Sequence, residues 1–354
     1  MIRIKIGDRW VGHGEPCYIV AEISANHNQS YDRAVGIIRA AKKAGADAIK
    51  LQTYTPDTLT IDSDQDWFQI PGDSAWAGKT LYQLYSEAYT PWEWHPKLKE
   101  VANSLGLDLF STPFDASAVD FLEGLGFPAH KVASFEIVDL PLLRKIARTG
   151  KPVIVSTGMA SLGEIDEAVN TLRANGSSQI ALLKCTSAYP ASPAEMNLRT
   201  IPHLSSTFDV VVGLSDHTLG ISVAIAAVAV GVSIVEKHLT LSRSEGGPDS
   251  SFSMLPDEFA EMVKGIRQVD QALGRISYER TSSEIKSQCF RRSLFVVQDV
   301  KVGERLTEEN VRSIRPGYGL LPRYLGEVLG KKAACDIRRG TPLTWDLING
   351  RTDS

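Results

Sequence analysis

The chain has 354 residues, of which 43% are apolar and 23% are charged, a composition typical of an ordinary globular protein. Its 38 basic and 42 acidic residues give a net charge of −4, so no overall positive field favours nucleic acid or an anionic membrane. We therefore expect neither as a partner. The longest apolar stretch, residues 221–235, is too short to span a bilayer and predicts buried core. Four cysteines without a C-x-x-C pair and an N-terminus without an apolar signal core predict reduced thiols in the cytoplasm.

Short β-rich apolar runs alternate with helical patterns from about residue 17 to residue 272. The runs predict strands at Tyr18–Ile23, Ala48–Thr53, Asp108–Thr112, His130–Ser134, Val153–Ser156, Ile180–Cys185, Val210–Ser215 and Ser233–His238. Eight such βα units favour a TIM barrel of the α/β class. The alternative, an open doubly wound sheet, lacks a G-x-G-x-x-G motif after its first strand. Residues 1–10 predict a β-hairpin around Gly7 and Asp8, so the first domain is expected to span residues 1–273.

A second, smaller domain is predicted at the C-terminal end. Residues 274–288 are polar and rich in serine and charge, which indicates a linker, and the domain would then span residues 289–354. Within it, the motif at Asp299–Thr307 returns 37 residues later at Asp336–Thr344. Two copies of one short motif predict a compact, pseudo-twofold, β-rich module.

Polar residues at the strand ends are the candidate site residues, because the chemistry of a TIM barrel lies where strands end. These residues are Glu22, Lys50, Gln52, Thr112, Lys131, Ser134, Ser156, Lys184, Ser215, His217, Glu236 and His238. Lys50, Lys131 and Lys184 lie in otherwise apolar strands, where an unpaired ammonium group is costly to bury. They predict a cradle for a phosphate or carboxylate, although each could instead pair with Glu22, Glu136 or Glu236.

Two histidines and one glutamate stand out among these residues. His217 and His238 end neighbouring strands, so their imidazoles could bind one divalent metal, and oxygen ligands beside them would suit Mn²⁺. The alternative is that both rings are merely hydrogen-bonded in the core. Glu22 is the first candidate for proton transfer, because burial would raise its pKa and nearby lysines would lower it. A salt bridge to Lys50 is its structural alternative, and Glu236 is the second acid/base candidate.

Two loops are expected near the barrel mouth. Residues 54–94 are too many for an ordinary βα loop and are rich in tyrosine and tryptophan, so we expect them to fold over the mouth. Their aromatic rings could bind a sugar face or simply pack the lid. The loop at residues 246–253 places Asp249 and several hydroxyl groups near His238, or alternatively in solvent.

The motifs on these strands and loops resemble those of the sialic acid synthases. They are A-E-I-S-A-N-H-N at 21–28, G-A-D-A-I-K-L-Q-T at 45–53, S-T-P-F-D at 111–115, K-V-A-S-F-E at 131–136, G-L-S-D-H-T at 213–218, E-K-H at 236–238 and G-P-D-S-S-F-S at 247–253. The C-terminal motifs R-R-S-L at 291–294, R-P-G at 315–317 and G-K-K-A at 330–333 resemble the family's antifreeze-like SAF domain. The resemblance covers essentially the whole chain in the right order.

Within that family, three segments resemble the pseudaminic acid branch more than the N-acetylneuraminate branch. They are S-A-N-H at 24–27, Q-T-Y-T-P-D-T-L-T at 52–60 and T-P-W-E-W-H at 90–95. The resemblance implies condensation of phosphoenolpyruvate with open-chain 2,4-diacetamido-2,4,6-trideoxy-altrose to give a nine-carbon keto acid and phosphate. The alternatives are N-acetylneuraminate or legionaminate synthesis, a synthase of seven- or eight-carbon keto acids, and a non-catalytic carbohydrate- or ice-binding protein.

The resemblance also implies roles for individual residues. Glu22 would be the catalytic acid or base. His217 and His238 would bind the divalent metal, with Mn²⁺ first and Mg²⁺ or Co²⁺ as alternatives. Phosphoenolpyruvate would be held by Lys50, Thr112, Lys131, Ser134, Ser156 and Ser215, and the amino sugar by Gln52, Phe114, Tyr189, Asp249 and Arg315. Arg315 would act on the partner subunit's barrel, which implies a domain-swapped homodimer.

Overall fold

The computed structural model describes residues 2–72 and 76–350, and the chain divides into two compact units, Met1–Gly274 and Arg275–Ser354. Each unit has its own hydrophobic core. The larger core includes Ile19, Ile49 and Val155, and the smaller one includes Leu294 and Leu343.

An antiparallel hairpin opens the chain. Strands β1 (Arg3–Ile6) and β2 (Arg9–Gly12) pair across the turn at Gly7 and Asp8, which confirms the predicted hairpin. Its buried Ile4 and Ile6 belong to the larger core. The Arg9 guanidinium donates a 2.9 Å hydrogen bond to Asp47, directly before the second barrel strand, so the hairpin lies at the N-terminal end of the barrel.

The next eight strands form a closed parallel barrel, which confirms the predicted TIM architecture. They are β3 (Tyr18–Glu22), β4 (Ala48–Thr53), β5 (Asp108–Pro113), β6 (His130–Val132), β7 (Val153–Ser156), β8 (Ile180–Cys185), β9 (Val211–Asp216) and β10 (Ile234–His238). Their nearly continuous apolar runs suit strands buried on both faces. The barrel closes where β10 pairs with β3, and this register sets His238 opposite Glu22 and Glu22 opposite Lys50.

Helices surround the barrel and connect its strands. They are α1 (Tyr31–Ala44), α2 (Pro56–Leu59), α3 (Leu81–Ala88), α4 (His95–Ser104), α5 (Ala116–Gly124), α6 (Leu140–Ala147), α7 (Leu162–Ala174), α8 (Thr200–Phe208), α9 (Ser222–Ala229) and α10 (Pro256–Leu273). Helix α1 begins where the Ser30 side chain accepts from the Arg33 amide and ends at Gly45, whose φ of 91° an L-residue rarely adopts. None of the helices in the described part of the chain is long and apolar enough to cross a membrane.

The C-terminal unit contains short elements only. They are α11 (Ser282–Ser287), β11 (Ser293–Val296), β12 (Val311–Ile314), α12 (Leu325–Val328), β13 (Lys332–Ala333) and β14 (Ile348–Asn349). Strand β11 pairs with β12, and β13 pairs with β14, both antiparallel. Helix α11 begins at Thr281, whose side chain accepts from the Glu284 amide, so the segment expected to be a linker contains a helical turn.

The internal repeat appears as reciprocal hydrogen bonds between its two copies. The Asp336 carboxylate accepts from the Val302 amide at 2.8 Å, and Asp299, the equivalent of Asp336 in the first copy, accepts from the Arg339 amide at 2.7 Å. Val300 and Ile337 join the copies through an antiparallel bridge. These contacts, each related to another by the same 37-residue offset, confirm the predicted pseudo-twofold module.

Candidate active site

A buried charge cluster lies at the ends of β3, β4 and β10. Lys50 forms ion pairs with Glu22 and, at 3.4 Å from Nζ to Oε1, with Glu236. Burial raises the pKa of Glu22 to about 7 against the opposing charge of Lys50. Burial also raises the pKa of Glu236, but Lys131 and Lys50 outweigh it and hold that pKa below its ordinary value. Glu22 therefore forms the expected salt bridge and also has a pKa suited to proton transfer near neutrality.

Lys131 contributes a second buried cation, from β6. Its Nζ donates to the Ser156 hydroxyl at 2.6 Å and to the Val132 carbonyl at 3.0 Å. It forms no ion pair within residues 2–72 and 76–350, although its side chain is almost fully buried. Burial lowers its pKa. Burying an ammonium group without a carboxylate partner is costly, and an anion beside it would reduce that cost.

Hydroxyl groups surround the two lysines. Thr112 Oγ1 lies 3.5 Å from Lys50 Nζ, and Ser215 donates to Glu236 at 3.2 Å. Ser134 accepts from the Gly158 amide at 3.1 Å, in the turn after β7. The six residues expected to hold phosphoenolpyruvate are thus all buried at the same end of the barrel.

Lys184 does not join this cluster, contrary to the expectation of three converging lysines. Its Nζ donates to the Cys185 carbonyl at 2.8 Å and to the Thr186 hydroxyl at 3.3 Å. Cys185 faces the site instead, with Sγ 3.8 Å from His217 Nδ1. Neighbouring residues of a strand point to opposite faces, so the inward position of Cys185 directs Lys184 away.

The two histidines lie side by side, with ring centroids 5.4 Å apart. His217 Nδ1 lies 3.2 Å from the Thr186 carbonyl, an acceptor, so this nitrogen carries the proton and Nε2 is left as the ligand atom. Burial lowers the pKa of His217, but the hydrogen bond with Cys185 outweighs burial and raises it above its ordinary value.

The surroundings of His238 favour metal binding more clearly than those of His217. Its Nδ1 is buried without a hydrogen-bond partner among the described residues and lies 4.0 Å from Asp249. Burial and His217 hold its pKa well below the ordinary value, so the ring is neutral and able to bind a metal.

The donor set fits a catalytic metal. The described residues contain no cluster of three or more His, Cys, Asp or Glu side chains that could enclose an ion. Two imidazoles would leave further coordination positions to water and substrate.

A cavity of about 440 Å³ lies above the strand ends. Four of the five residues expected to bind the sugar line it, namely Gln52, Phe114, Tyr189 and Asp249, together with His238. Ser24 and the Ala25 amide donate to the Asp249 carboxylate, and the Tyr189 ring lies 4.4 Å from that of His217. The fifth residue, Arg315, belongs to the C-terminal unit, where it is exposed just after β12.

Several described residues between positions 54 and 94 form part of the cavity wall, as expected of a lid. Tyr54, Trp76 and Tyr85 line the cavity, and the Trp76 indole donates to the Pro248 carbonyl at 2.7 Å. Other aromatic residues of this segment do not line the cavity. Trp92 stacks on Phe121, and Trp67 is 86% exposed. Some aromatic residues of the segment are therefore placed where a sugar could contact them, and others, such as Trp92, pack within the protein.

The structure also defines the contacts of His27 and Glu136, two further residues near the site. His27 fixes the first loop, because its Nε2 lies 3.1 Å from the Thr90 hydroxyl and its Nδ1 accepts from the Gln29 amide.

Glu136 lines the cavity, with Oε2 buried and without a hydrogen-bond partner among the described residues. The sequence presented Glu136 only as a possible lysine partner. Its place two residues after Ser134, in the turn that leaves β6, was the available signal for a site residue.

The buried carboxyl of Glu136 should make stability depend on pH. Burial raises its pKa from 4.5 to about 7 against the charge of Lys131. Its contribution to stability is therefore complete below about pH 4.5 and is lost as the pH rises through 7. Between pH 4.5 and 8, we expect the free energy of unfolding to fall by roughly 3 kcal/mol more in the wild type than in Glu136→Gln. Urea titrations at several pH values measure this difference.

The matched control for that experiment is Glu100→Gln, which changes an exposed glutamate on α4. Its profile should run parallel to that of the wild type. Parallel profiles for Glu136→Gln as well would contradict the raised pKa.

Comparison with known proteins shows the family of this chain. Residues 37–278 match the NeuB family, and residues 291–349 match the SAF domain. Pseudaminic acid synthase from Helicobacter pylori is 45% identical over 335 residues, which cover 94% of this chain and 98% of that protein. Its Campylobacter jejuni counterpart is 45% identical over 326 residues, or 92% and 95% of the two chains. The crystal structure of the spore coat polysaccharide biosynthesis protein SpsE from Bacillus subtilis superposes with a TM-score of 0.67 at 34% identity, covering 99% of this chain and 100% of that one. This chain belongs to the NeuB family and carries a C-terminal SAF domain.

Proposed function

We propose that this protein is a pseudaminic acid synthase, a metal-dependent transferase that condenses phosphoenolpyruvate with 2,4-diacetamido-2,4,6-trideoxy-altrose. The observation that carries the proposal is the meeting of two features at one barrel mouth. The buried cations Lys50 and Lys131 lie beside the neighbouring imidazoles of His217 and His238. The pseudaminic acid synthases of Helicobacter pylori and Campylobacter jejuni, each 45% identical to this chain, support the choice of acceptor.

Phosphoenolpyruvate is held by the cationic end of the barrel. Lys131, which donates to a hydroxyl and a carbonyl group and forms no ion pair among the described residues, binds the phosphate. Lys50 is shared between Glu22 and Glu236 and helps hold the carboxylate. The hydroxyl groups of Thr112, Ser134, Ser156 and Ser215 donate the remaining hydrogen bonds.

The acceptor occupies the cavity, where Gln52, Phe114, Tyr189 and Asp249 hold it. His217 and His238 bind a divalent metal, with Mn²⁺ favoured and Mg²⁺ or Co²⁺ as alternatives. When bound, the ion supplies Lewis acidity to the aldehyde of the open-chain sugar.

In the reaction, C3 of phosphoenolpyruvate forms a bond to the aldehyde carbon, and positive charge develops at C2. Water adds to C2 and gives up a proton, which leaves a hydroxyl group on C2. The C2–O bond to phosphate then breaks, the hydroxyl proton passes to the departing phosphate, and the keto acid forms. Glu22, with a pKa of about 7, either protonates the new alkoxide or accepts the proton of that water. Lys131 stabilises the negative charge of the departing phosphate.

The assembly proposed for this chemistry is a domain-swapped homodimer, in which Arg315 reaches the sugar in the partner subunit's barrel. The two units carry opposite charge, since residues 1–274 contain 23 basic and 32 acidic residues and residues 275–354 contain 15 and 10. Arg315 is exposed and has no ion pair among the described residues. Phe135, Met159 and Leu219, on loops after barrel strands, expose apolar surface at the catalytic end. We place the enzyme in the cytoplasm, where phosphoenolpyruvate is made.

The first test is phosphate release from phosphoenolpyruvate with Mn²⁺, comparing the diacetamido-trideoxy-altrose with N-acetylmannosamine. Release with the altrose sugar alone, abolished by EDTA, is the expected result. Release with N-acetylmannosamine instead would keep the reaction and overturn the acceptor. Release with neither sugar would overturn the proposed function.

His238→Ala should lose metal binding and turnover while retaining the fold. Strand ends at the catalytic face of a TIM barrel contribute function more than stability. We expect Mn²⁺ affinity, measured by isothermal titration calorimetry, and the rate of phosphate release each to fall at least ~100-fold. The control is His203→Ala, an exposed histidine on α8, which should behave as the wild type. Normal Mn²⁺ affinity in His238→Ala would show that the ligand assignment is wrong.

Arg315→Ala should weaken use of the sugar more than binding of phosphoenolpyruvate. Loss of a charged hydrogen bond to the acceptor lowers kcat/KM for the sugar roughly 10- to 100-fold, with the KM for phosphoenolpyruvate changed less than about threefold. Arg312→Ala, which removes an exposed arginine on β12, is the control. Equal losses for both substrates would place Arg315 elsewhere.

A further inference from the structure

A buried ion pair lies directly behind the two histidines at the barrel mouth. Asp216 and Lys237 are opposite each other on β9 and β10, and each immediately precedes a histidine, His217 or His238. The Lys237 ammonium donates to the Asp216 carboxylate at 2.7 Å, and both side chains are at most 1% exposed. Because neighbouring residues of a strand point to opposite faces, the pair joins the two strand ends from the side opposite the histidines.

Thr218 extends this pair to the residue that follows His217. The Thr218 amide and hydroxyl groups donate to Asp216 at 2.9 and 2.8 Å, and the Thr218 carbonyl accepts from Lys237 at 2.6 Å. The residues on both sides of His217 in the sequence thus bind the same ammonium group. The carbonyl of His217 itself accepts from the Ala191 amide at 3.0 Å. The backbone at His217 is therefore fixed by contacts that do not involve its imidazole ring.

Stability alone does not account for this arrangement. Removing an ammonium and a carboxylate group from water costs free energy that their attraction does not always recover, and apolar residues of similar size are often as stable at such positions. A buried and fully hydrogen-bonded pair does impose one geometry, because its bonds form in only one arrangement of the two strand ends. What the pair fixes here is the separation of His217 and His238, whose ring centroids lie 5.4 Å apart.

On the basis of the proposed function, in which both histidines bind the divalent ion, we propose that Asp216, Lys237 and Thr218 are positioning residues for that ion. They hold the two imidazoles in place before the ion binds, so its binding free energy is not used to order the strand ends. None of the three is among the described residues that line the cavity. Their contribution is to metal affinity rather than to the reaction itself.

The test is the double variant Asp216→Asn/Lys237→Met, which replaces the pair with uncharged groups of similar size. The new amide oxygen still accepts from Thr218, so no buried charge is left unpaired. We expect Mn²⁺ affinity, measured by isothermal titration calorimetry without substrates, to fall at least about tenfold, with the melting temperature within about 4 °C of the wild type. In phosphate release, the Mn²⁺ concentration for half-maximal rate should rise at least about tenfold, whereas the rate at saturating Mn²⁺ should fall less than about threefold.

Glu123→Gln/Lys151→Met is the matched control, because it makes the same exchanges in an ion pair at the opposite end of the barrel. Lys151 lies two residues before β7, and its Nζ is 2.7 Å from the Glu123 carboxylate. The Mn²⁺ affinity of this variant should stay within about twofold of the wild type. An equal loss of affinity in the two double variants would overturn the proposal, and so would wild-type affinity in Asp216→Asn/Lys237→Met.

Circular dichroism checks that the variants fold. If Asp216→Asn/Lys237→Met does not fold, Thr218→Val replaces it, because this change removes only the hydroxyl donor to Asp216 and keeps the branched shape of the side chain. Mn²⁺ affinity should then fall at least about threefold. An unchanged affinity in Thr218→Val would overturn the proposal.

Calorimetry also separates failure of this inference from failure of the proposed function. Mn²⁺ binding is measured without substrates, so it does not depend on which acceptor the enzyme uses. If the wild type binds Mn²⁺ but releases no phosphate with either sugar, the proposed function fails, while the affinities of the variants still decide whether the pair positions the histidines. A wild type that binds no Mn²⁺ overturns this inference together with the metal assignment.

Discussion

Two ammonium groups, those of Lys50 and Lys131, lie in a barrel interior from which solvent is excluded, and the site is organised around their neutralisation. Lys50 is balanced by the carboxylates of Glu22 and Glu236, and this competition leaves Glu22 with a pKa of about 7. Lys131 donates to a hydroxyl and a carbonyl group and, with Lys50, holds the pKa of Glu236 below its ordinary value. A single arrangement of strands thus brings the candidate proton-transfer group and both buried cations together.

The strand ends and the inserted segment contribute to the site in different ways. The candidate catalytic residues lie at strand ends, which a closed barrel holds rigidly. Part of the cavity wall comes from the long segment between β4 and α4. The Trp76–Pro248 hydrogen bond joins this segment to the eighth barrel loop, which carries Asp249.

The C-terminal unit contains two copies of one sequence motif. Asp299 and Asp336 each accept from a backbone amide of the opposite copy, so each copy satisfies polar groups that the other leaves open. Leu306 of the first copy and Leu343 of the second belong to the same small core. This unit has a net positive charge and the barrel unit a net negative charge.

The sequence alone determined the barrel fold and the positions of several candidate site residues. Period-two polarity at the ends of eight apolar runs predicted the barrel and the positions of Glu22, Lys50 and the histidine pair, because parallel strands bring their carboxyl ends to one face. Only the tertiary structure decided that Cys185 rather than Lys184 faces the site and that Glu136 is buried without a partner. It also decided which aromatic residues of the insertion line the cavity. Which residue of a strand end points inward depends on where that strand's alternation of side chains begins. Other features depend on contacts between distant segments, such as Trp76 with Pro248, and no local sequence pattern encodes such contacts.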